Sequence, residues 1–421
     1  MRGKTTQYAW VVPRGKYTLT LKARGVLLEG TINELREELY LTRRAIQYVI
    51  DVLWELDRLL TINQLHQMFY RILRKQGFRA HQCKQIYKYA LSAVKSAKRN
   101  NGKKPILRKL SARLDKYDAW LDLENQMIIV KLRSRVFKIK LLHHRDYIRK
   151  FIRRKWYEVI ISVNEQGRIW ICVPFRWEYR PYKPRRIISI GINLKKIAVY
   201  NGKSVRRIDT IFREALYLKY LAEGVQKSHS YAWRRNRKWL EIIRCLHRRS
   251  RNILIDWSRK FAKQIVLKAR RTRSTIVLED LKKLWFNSSR KSSSLADKLS
   301  RFAYRKLQLA IITKAIEYNV PIVLMNPRNT SITCPKCGAK LVYNHRLAIC
   351  PKCGFMADRD IVGAMNIYLK AIQALASRLG SWGAHPMTDE TQAKGGLLKH
   401  EPMTNHIKTY KEANPKPVWS P

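Results

Sequence analysis

Acidic residues are scarce in this chain. It has 30 Asp and Glu against 87 Lys and Arg among 421 residues, which gives a formal net charge of +57. Such a surplus of one sign repels itself in a compact fold unless a polyanion neutralises it, so nucleic acid is the expected partner. A membrane surface is the alternative for a basic protein. It is less favoured, because the charge runs through every segment and no apolar stretch reaches the ~18 residues of a spanning helix.

Cysteine is also sparse, and its distribution is uneven. Three of the seven cysteines stand alone, whereas four form a Cys-x2-Cys-x12-Cys-x2-Cys array in which each pair reads Cys-Pro-Lys-Cys-Gly: Cys334, Cys337, Cys350 and Cys353. Two such knuckles can direct four thiolates at one point, which predicts a structural zinc ribbon. Two disulfides are the alternative. The scattered remaining cysteines and the lack of a signal peptide instead favour a reducing cytoplasm.

Periodicity divides the first half of the chain. Short strand-like runs in residues 1–30 give way at Thr31 to three helical patterns, two of which open with capping boxes, and residues 118–175 return to strand-like alternation. The aromatic residues of the helical part predict core packing rather than base stacking. The alternating basic residues of the later strands predict a half-buried sheet.

The second half carries acidic residues at element ends and one strongly basic segment. Residues 231–273 have an apolar stripe and many cations opposed by only Glu241 and Asp256. A charge run is usually a solvated face, but this imbalance favours a helix pair that binds phosphates. The candidate nucleic-acid contacts are Arg234, Arg235, Arg237, Lys238, Arg248, Arg249 and Arg251. A loop at Ser288–Ser294, a helix at 303–318 and a strand at 322–325 follow.

Four sequence segments together resemble a known family. In order, they are "ISIGINLKKIAVY", "TIVLEDL", "NPRNTSITCPKCG" and "CPKCGFMADRDIVGAMNI". Their combination resembles TnpB, the transposon-encoded RNA-guided DNA nuclease related to compact type V CRISPR effectors. The resemblance is specific from Ile187 to Leu369 and only architectural before that.

The resemblance implies a multidomain α+β fold. Its parts would be a wedge-like β-barrel interrupted by a helical recognition module, a ribonuclease-H-like (RuvC) nuclease domain with an inserted zinc ribbon, and a flexible tail. The expected boundaries are 1–30 and 117–182 for the barrel, 31–116 for the helical module, 183–325 and 357–378 for the nuclease domain, 326–356 for the ribbon and 379–421 for the tail.

The resemblance also implies a nuclease site that holds two Mg²⁺ ions on carboxylates. Glu279 and Asp360 match the second and third acidic positions, and Arg359 is a candidate phosphate contact. The first position holds Asn193 where the family has Asp. An amide oxygen can ligate a metal but adds no negative charge, so both metal affinity and cleavage should fall. Val362 and Gly363 replace the usual Asn-Ala, which is a milder departure.

Two functions fit these residues. The first is a TnpB-type endonuclease that is impaired at Asn193, either by a deliberate Asp-to-Asn change or a natural one; the retained Glu279 and Asp360 favour the deliberate change. The second is a naturally nuclease-dead RNA-guided DNA-binding repressor. A conventional transposase is less favoured, because the sequence lacks a metal-binding His-x-His. The expected partners are a guide RNA from the transposon end and target DNA, in a prokaryotic cytoplasm near the nucleoid.

Overall fold

The computed structural model describes residues 9–193, 196–280 and 295–379. The chain divides into two compact units, one formed by Lys16–Glu178 and the other by residues 1–15 and 179–421. The predicted loop at Ser288–Ser294 and the predicted tail beyond Leu379 lie outside the described residues. The two units are described separately below.

The elements are numbered in chain order over the described residues. The strands are β1 (Ala9–Val11), β2 (Gly15–Glu29), β3 (Leu110–Leu114), β4 (Ala119–Asp122), β5 (Met127–Leu132), β6 (Arg135–Leu142), β7 (Val159–Val163), β8 (Ile169–Tyr179), β9 (Arg186–Ile192), β10 (Lys196–Tyr200), β11 (Val205–Asp209), β12 (Ser274–Glu279), β13 (Ile322–Met325), β14 (Val342–Asn344), β15 (Leu347–Ile349) and β16 (Met356–Asp358). The helices are α1 (Ile32–Trp54), α2 (Ile62–Lys75), α3 (Ala80–Arg99), α4 (Arg145–Arg149), α5 (Phe212–Ser228), α6 (Arg237–Arg271), α7 (Leu295–Tyr318) and α8 (Arg359–Leu379).

Helices α1, α2 and α3 confirm the predicted helical part of the first unit. Both predicted capping boxes are present: Thr31 exchanges hydrogen bonds with Glu34 at the start of α1, and Thr61 does so with Gln64 at the start of α2. Each box satisfies backbone donors that a helix N-terminus otherwise leaves free. Phe69 is 1% exposed in the shared apolar core of the three helices, as the core-packing prediction required.

The same unit contains a seven-stranded antiparallel sheet. Its strand order is β3-β7-β8-β2-β6-β5-β4, and side chains in β6 and β8 alternate between buried and more exposed positions. Strands β3 and β4 lie at the two ends of this order, so closure into a barrel stays a prediction. Strand β3 belongs to this sheet although its residues fall within the predicted helical range 31–116, and the boundary prediction is wrong there.

A six-stranded sheet forms the centre of the second unit, in the order β1-β13-β12-β9-β10-β11. Strands β9, β12 and β13 run parallel, and β10, β11 and β1 are antiparallel to their neighbours. All but the last residue of β12 are buried, as is typical of a strand covered on both faces. Helix α8 packs on β9, β10 and β12, and α6 packs on β12.

Strand β1 corrects the prediction that residues 1–30 belong to the barrel. Its three residues pair with β13, from Ala9 opposite Met325 to Val11 opposite Val323, and the Val12 N–H donates to the Ile322 carbonyl at 3.1 Å. This pairing covers an edge of the central sheet that would otherwise present free backbone groups. The sequence gives no local signal for a partner so distant in the chain.

The predicted helix pair at 231–273 is instead one helix, α6, of 35 residues that begins at Arg237. Its neighbour α5 lies earlier in the chain, where no helix was predicted. Ser250, which interrupts the apolar stripe, does not break α6: its hydroxyl donates to the Ala215 carbonyl of α5 at 2.6 Å and is fully buried. The polar residue therefore joins two helices.

No helix within the described ranges combines the length and the apolar character needed to cross a membrane.

Candidate metal centres and nucleic-acid interface

The four clustered cysteines lie on two matching knuckles. The Gly338 N–H donates to the Cys334 carbonyl and the Gly354 N–H to the Cys350 carbonyl, each at 3.0 Å. Both glycines have positive φ, +77° and +68°, which other residues adopt at a cost. The repeated Cys-Pro-Lys-Cys-Gly sequence thus folds into the same tight turn twice. Strands β14, β15 and β16 form a small antiparallel sheet beside the knuckles.

Sulfur positions in this cluster fit one tetrahedral metal ion. The four sulfurs all lie within 4.8 Å of one another, with 3.6 Å between the Cys334 and Cys353 Sγ atoms and 3.5 Å between those of Cys337 and Cys350. Tetrahedral Zn–S bonds of about 2.3 Å require sulfurs roughly 3.8 Å apart. A disulfide needs about 2.05 Å, so the alternative of two disulfides does not fit.

The three positions predicted to form a nuclease site lie on neighbouring elements: Asn193 follows β9, Glu279 ends β12, and Asp360 is in the first turn of α8, which packs on both strands. Strands β9 and β12 are parallel with Ile190 opposite Leu278, so the next residues along are Gly191 and Glu279. Asn193 follows the end of β9 and is half-buried. A Cβ on Gly191 would lie 3.5 Å from the carbonyl oxygen of Asp360 in α8. Glu279 and Asp360 therefore flank the same residue of β9, two positions before Asn193.

Glu279 is held from three directions. Its Oε1 accepts a hydrogen bond from the Thr330 hydroxyl at 3.1 Å, and its backbone carbonyl accepts one from Gln308 Nε2 at 2.8 Å. Burial raises the pKa of the Glu279 carboxyl, against the lowering effects of Thr330 and of the nearby Lys370 ammonium. Burial likewise lowers the pKa of Lys370. Both groups are thus partly withdrawn from water, and their opposite charges attract each other.

Lys370 and Asn366 fasten the segment that carries Thr330. Lys370 Nζ donates to the carbonyls of Asn326, at 3.4 Å, and of Arg328. One turn earlier in α8, Asn366 Nδ2 donates to the Thr330 carbonyl at 2.8 Å and to that of Thr333 at 2.7 Å. The segment leading into the ribbon is therefore bound to α8 while its hydroxyl reaches Glu279. Sequence reasoning did not identify these residues.

Asp360 is buried, at 7% exposure, and is paired with a cation from the ribbon. Arg346, in the turn between β14 and β15, donates through Nη2 to Asp360 Oδ2 and, at 3.3 Å, to Asp358 Oδ1. Burial raises the pKa of Asp360 although Arg346 opposes this. Asp358 caps α8 by accepting the Asp360 N–H at 2.9 Å and pairs with Arg207 at 3.1 Å.

Arg346 is the most informative residue that the sequence analysis missed. The only sequence signal for Arg346 is its position between the two cysteine pairs. That signal is weak, because basic residues are common throughout this chain. The two departures beside Asp360 are benign in the fold. Val362 is fully buried in the ribbon core, and a Cβ at Gly363 would meet open space.

The eight candidate nucleic-acid contacts are all exposed: Arg234, Arg235, Arg237, Lys238, Arg248, Arg249, Arg251 and Arg359. The first four lie at or just before the N-terminus of α6, and the next three lie around its middle. Arg359 starts α8, and its guanidinium carbon lies 5.8 Å from the Tyr343 ring centroid. The first seven thus follow one element of the second unit, and Arg359 lies beside the candidate nuclease residues.

Comparison with known proteins places these features in a family. The family model described as "Cas12f1-like, TNB domain" matches residues 304–367. A TnpB-like protein of Methanocaldococcus jannaschii is 28% identical over 239 residues, which cover 54% of this chain and 84% of the relative. A putative transposase of the same organism is 32% identical over 100 residues, covering 21% of this chain and 85% of the relative. The chain belongs to the TnpB family.

A solved structure extends the likeness of this TnpB-family chain beyond the matched sequence. The Cas12f1 chain in a cryo-EM structure of a Cas12f1–sgRNA–target DNA complex superposes with a TM-score of 0.52 at 13% identity. The match covers 84% of this chain and 99% of the Cas12f1 chain. At that identity the likeness concerns the fold alone, and it supports a multidomain α+β architecture for the TnpB-family chain.

Proposed function

We propose that this chain is a TnpB-type RNA-guided DNA-binding protein with a RuvC-like nuclease site that lacks one acidic ligand. The observation that supports the proposal is that Asn193, Glu279 and Asp360 lie at the ends of three neighbouring elements, β9, β12 and α8. Each comes from a different element, and each matches a position expected from the family resemblance. Unrelated polar residues at strand ends have no reason to converge in this way.

The residues at this edge suit a hard divalent cation such as Mg²⁺. Glu279 and Asp360 supply carboxylate oxygens withdrawn from water, and Asn193 supplies an amide oxygen. When bound, Mg²⁺ ions orient the attacking water and stabilise the leaving oxygen of a phosphodiester. Lys370 and Arg346 already balance part of the carboxylate charge, so an Asn in place of a third carboxylate leaves a weakened site.

The remaining groups have roles that follow from their contacts. The Thr330 hydroxyl fixes the orientation of Glu279. Arg346 lies on Asp360, and Arg359 begins the same helix; both are suited to receive a phosphate of the DNA strand. We expect loss of Arg346 to affect cleavage more than binding, because it contacts the candidate ligand directly.

Charge supports nucleic acid as the partner. A formal net charge of +57 and the exposed cations of α6 are typical of a protein that neutralises many phosphates. The structurally similar Cas12f1 chain was solved in complex with an sgRNA and target DNA. We propose the same two classes of partner here, with the guide RNA drawn from the transposon end, acting in the prokaryotic cytoplasm at the nucleoid.

Asn193 also supports a second function, that of a repressor that binds DNA under RNA guidance without cutting it. A carboxamide at the first ligand position reduces the negative charge that holds the metal. Binding of RNA and DNA depends instead on the basic surfaces, to which Asn193 does not belong. The two functions share every partner and differ only in cleavage.

Cleavage by a charge-restored variant distinguishes these functions. The parent chain and Asn193→Asp, each purified with co-expressed RNA, would be incubated with target DNA and magnesium. We expect both forms to bind target DNA. Only Asn193→Asp should cut efficiently, at a rate at least tenfold higher than that of the parent. Asn63→Asp is the matched control, because it adds the same charge at an exposed position of α2.

The nuclease and repressor functions predict different outcomes of this experiment. If Asn193→Asp cuts and its activity disappears on adding Glu279→Gln or Asp360→Asn, the site is a nuclease with one ligand missing. If neither form cuts while both bind RNA and target, the repressor function is favoured and the assignment of Glu279 and Asp360 as metal ligands fails.

A further inference from the structure

The turn between α5 and α6 exposes one aromatic side chain, that of Tyr231, among cations, with the half-buried Trp233 beside it. This α5–α6 tip, residues 227–238, contains five basic residues and no acidic one: Lys227, Arg234, Arg235, Arg237 and Lys238. Tyr231 is 93% exposed. The Arg234 guanidinium lies 4.6 Å from the ring centroid of Trp233. Neither the metal centres nor the proposed nuclease site involves any of these groups.

The tip projects from the body of its unit. The last buried residue of α5 is Ala222 and the first buried residue of α6 is Ile243, and every residue between them is half-buried or exposed. The ends of α5 and α6 that flank the tip are therefore more exposed than their other ends. A side chain such as Tyr231 at this end can reach a partner without obstruction by the rest of the unit.

The tip nevertheless has a well-connected local structure. The His229 carbonyl accepts the N–H groups of Ala232, at 3.1 Å, and Trp233, at 2.9 Å. Asn236 then caps α6 by accepting the N–H of Lys238. The His229 ring stacks on Trp239 with centroids 4.0 Å apart and planes at 21°. An exposed ring on such a preorganised turn loses little conformational freedom when it binds.

The composition of the tip favours nucleic acid over a protein partner. Aromatic residues and arginine are common at both kinds of interface, but protein interfaces also bury aliphatic side chains. Residues 227–238 include no Leu, Ile, Val or Met. An aromatic ring surrounded by cations is instead the arrangement that stacks on a base while neighbouring phosphates are neutralised.

We infer that the α5–α6 tip is a base-stacking contact for unpaired nucleic acid, with Tyr231 stacking on a base and Arg234 and Arg235 binding the flanking phosphates. This inference rests on the proposed nucleic-acid binding of the chain but not on its cleavage activity. A base in a duplex has both faces covered, whereas an unpaired base offers a free face to the tyrosine ring. The contact therefore discriminates single strands from duplexes.

The experiment measures binding of the full chain to a fluorescein-labelled 20-nucleotide oligothymidylate and to a 20-base-pair duplex in about 0.5 M salt, where phosphate contacts are weakened. We expect Tyr231→Ala to weaken oligothymidylate binding by about fivefold or more. Duplex binding should be unchanged. Tyr217→Ala is the matched control, because Tyr217 is 62% exposed and lies on α5 but outside the tip.

Two further measurements assign the contact to its residues. Tyr231→Ala should leave the dependence of oligothymidylate binding on salt unchanged, whereas Arg234→Ser with Arg235→Ser should reduce the log–log slope by about 1.4, since each single-strand phosphate contributes about 0.7. An oligothymidylate carrying 5-iodouracil should photo-crosslink to the peptide containing Tyr231, because this base reacts with a stacked aromatic ring.

The results that overturn the inference differ from those that overturn the proposed function. If Tyr231→Ala behaves like Tyr217→Ala and the crosslinks fall elsewhere, the tip is not a stacking contact, although the chain still binds nucleic acid. Equal weakening of duplex and single-strand binding would also reject it. If the parent chain binds neither probe even at low salt, the proposed function fails as well.

Discussion

Single side chains set the charge of the candidate nuclease site. Glu279 faces Lys370, and Asp360 faces Arg346, so each carboxylate has a cation supplied by another element. Asn193 adds a dipole but no charge. A residue's chemistry here depends on which partner reaches it through the fold, and the same residue type on an exposed surface would behave differently.

One glycine tests how tightly α8 is packed. Gly202 has φ of +93°, and a Cβ there would lie 2.9 Å from the Tyr368 ring carbon Cζ. Gly202→Ala should therefore lower the free energy of unfolding by about 1–3 kcal/mol through overpacking and backbone strain. The control is Gly224→Ala in α5, which meets open space and should stabilise by about 0.5–1 kcal/mol. Urea unfolding of both variants measures the difference; equal midpoints would contradict the packing argument.

A buried carboxyl in the first unit predicts a dependence of stability on pH. Glu38 is 2% exposed, and burial raises its pKa against the effects of Arg133 and Arg135. The folded state therefore holds this proton more tightly than the unfolded state, so stability falls as pH rises from the ordinary carboxyl range through the raised pKa. Glu38→Gln removes that loss, and its unfolding free energy relative to the parent should rise between pH 4 and pH 8.

The control for that measurement lies one position away. Glu37 is on the same helix but its side chain is 58% exposed, so Glu37→Gln removes the same charge without removing a buried carboxyl. Its effect measures the loss of one negative charge from this helix and serves as the baseline for Glu38→Gln. A pH-independent difference for Glu38→Gln would mean that its carboxyl titrates alike in the folded and unfolded states.

Among the elements, the ribbon is the one that we expect to depend on a metal for its fold. Its core consists largely of the four cysteines and a few apolar residues such as Leu341 and Ala348, which is too little to hold three short strands alone. It also carries Arg346 and Thr330, which contact the candidate nuclease residues Asp360 and Glu279. Loss of the metal should therefore disturb both of these contacts.

Removing one thiolate tests this dependence. Cys337→Ser should reduce bound zinc from about one ion per chain to nearly none, and should make residues 331–358 sensitive to protease, because three ligands hold Zn²⁺ far more weakly than four. Elemental analysis and limited proteolysis measure the two effects. Cys245→Ser, in the first third of α6, is the control and should keep its zinc. Full zinc content in Cys337→Ser would show that the cluster is not the metal site.

Charge dominates at the scale of the whole molecule. With 57 more basic than acidic residues, the chain should bind DNA with an affinity that falls steeply with salt, since each neutralised phosphate releases counterions. We expect a log–log slope steeper than about −5. Arg248→Ser with Arg249→Ser and Arg251→Ser should make it about 2.7 shallower. Binding titrations between 0.1 and about 0.6 M salt test both values, and an unchanged slope would remove α6 from the interface.

Local patterns explain what could be predicted. The ribbon follows from cysteine spacing, because the knuckle turns form within five residues. Helices α1 and α2 follow from capping boxes at Thr31 and Thr61 and from an apolar period that needs no distant partner. Glu279 and Asp360 were predicted from the resemblance of their motifs to those of TnpB, and their role as ligands stays a prediction.

The amino-acid sequence alone determined the basic character and the family, and it predicted the zinc ribbon and, through the family resemblance, the candidate ligands, because composition and short motifs can be recognised without knowing which distant segments meet. Only the tertiary structure decided that β1 joins the central sheet, that Ser250 joins α6 to α5, and that Arg346 and Thr330 reach Asp360 and Glu279. These contacts bring together segments that are not adjacent in sequence. Their partners are fixed by the packing of whole elements, which no local pattern encodes.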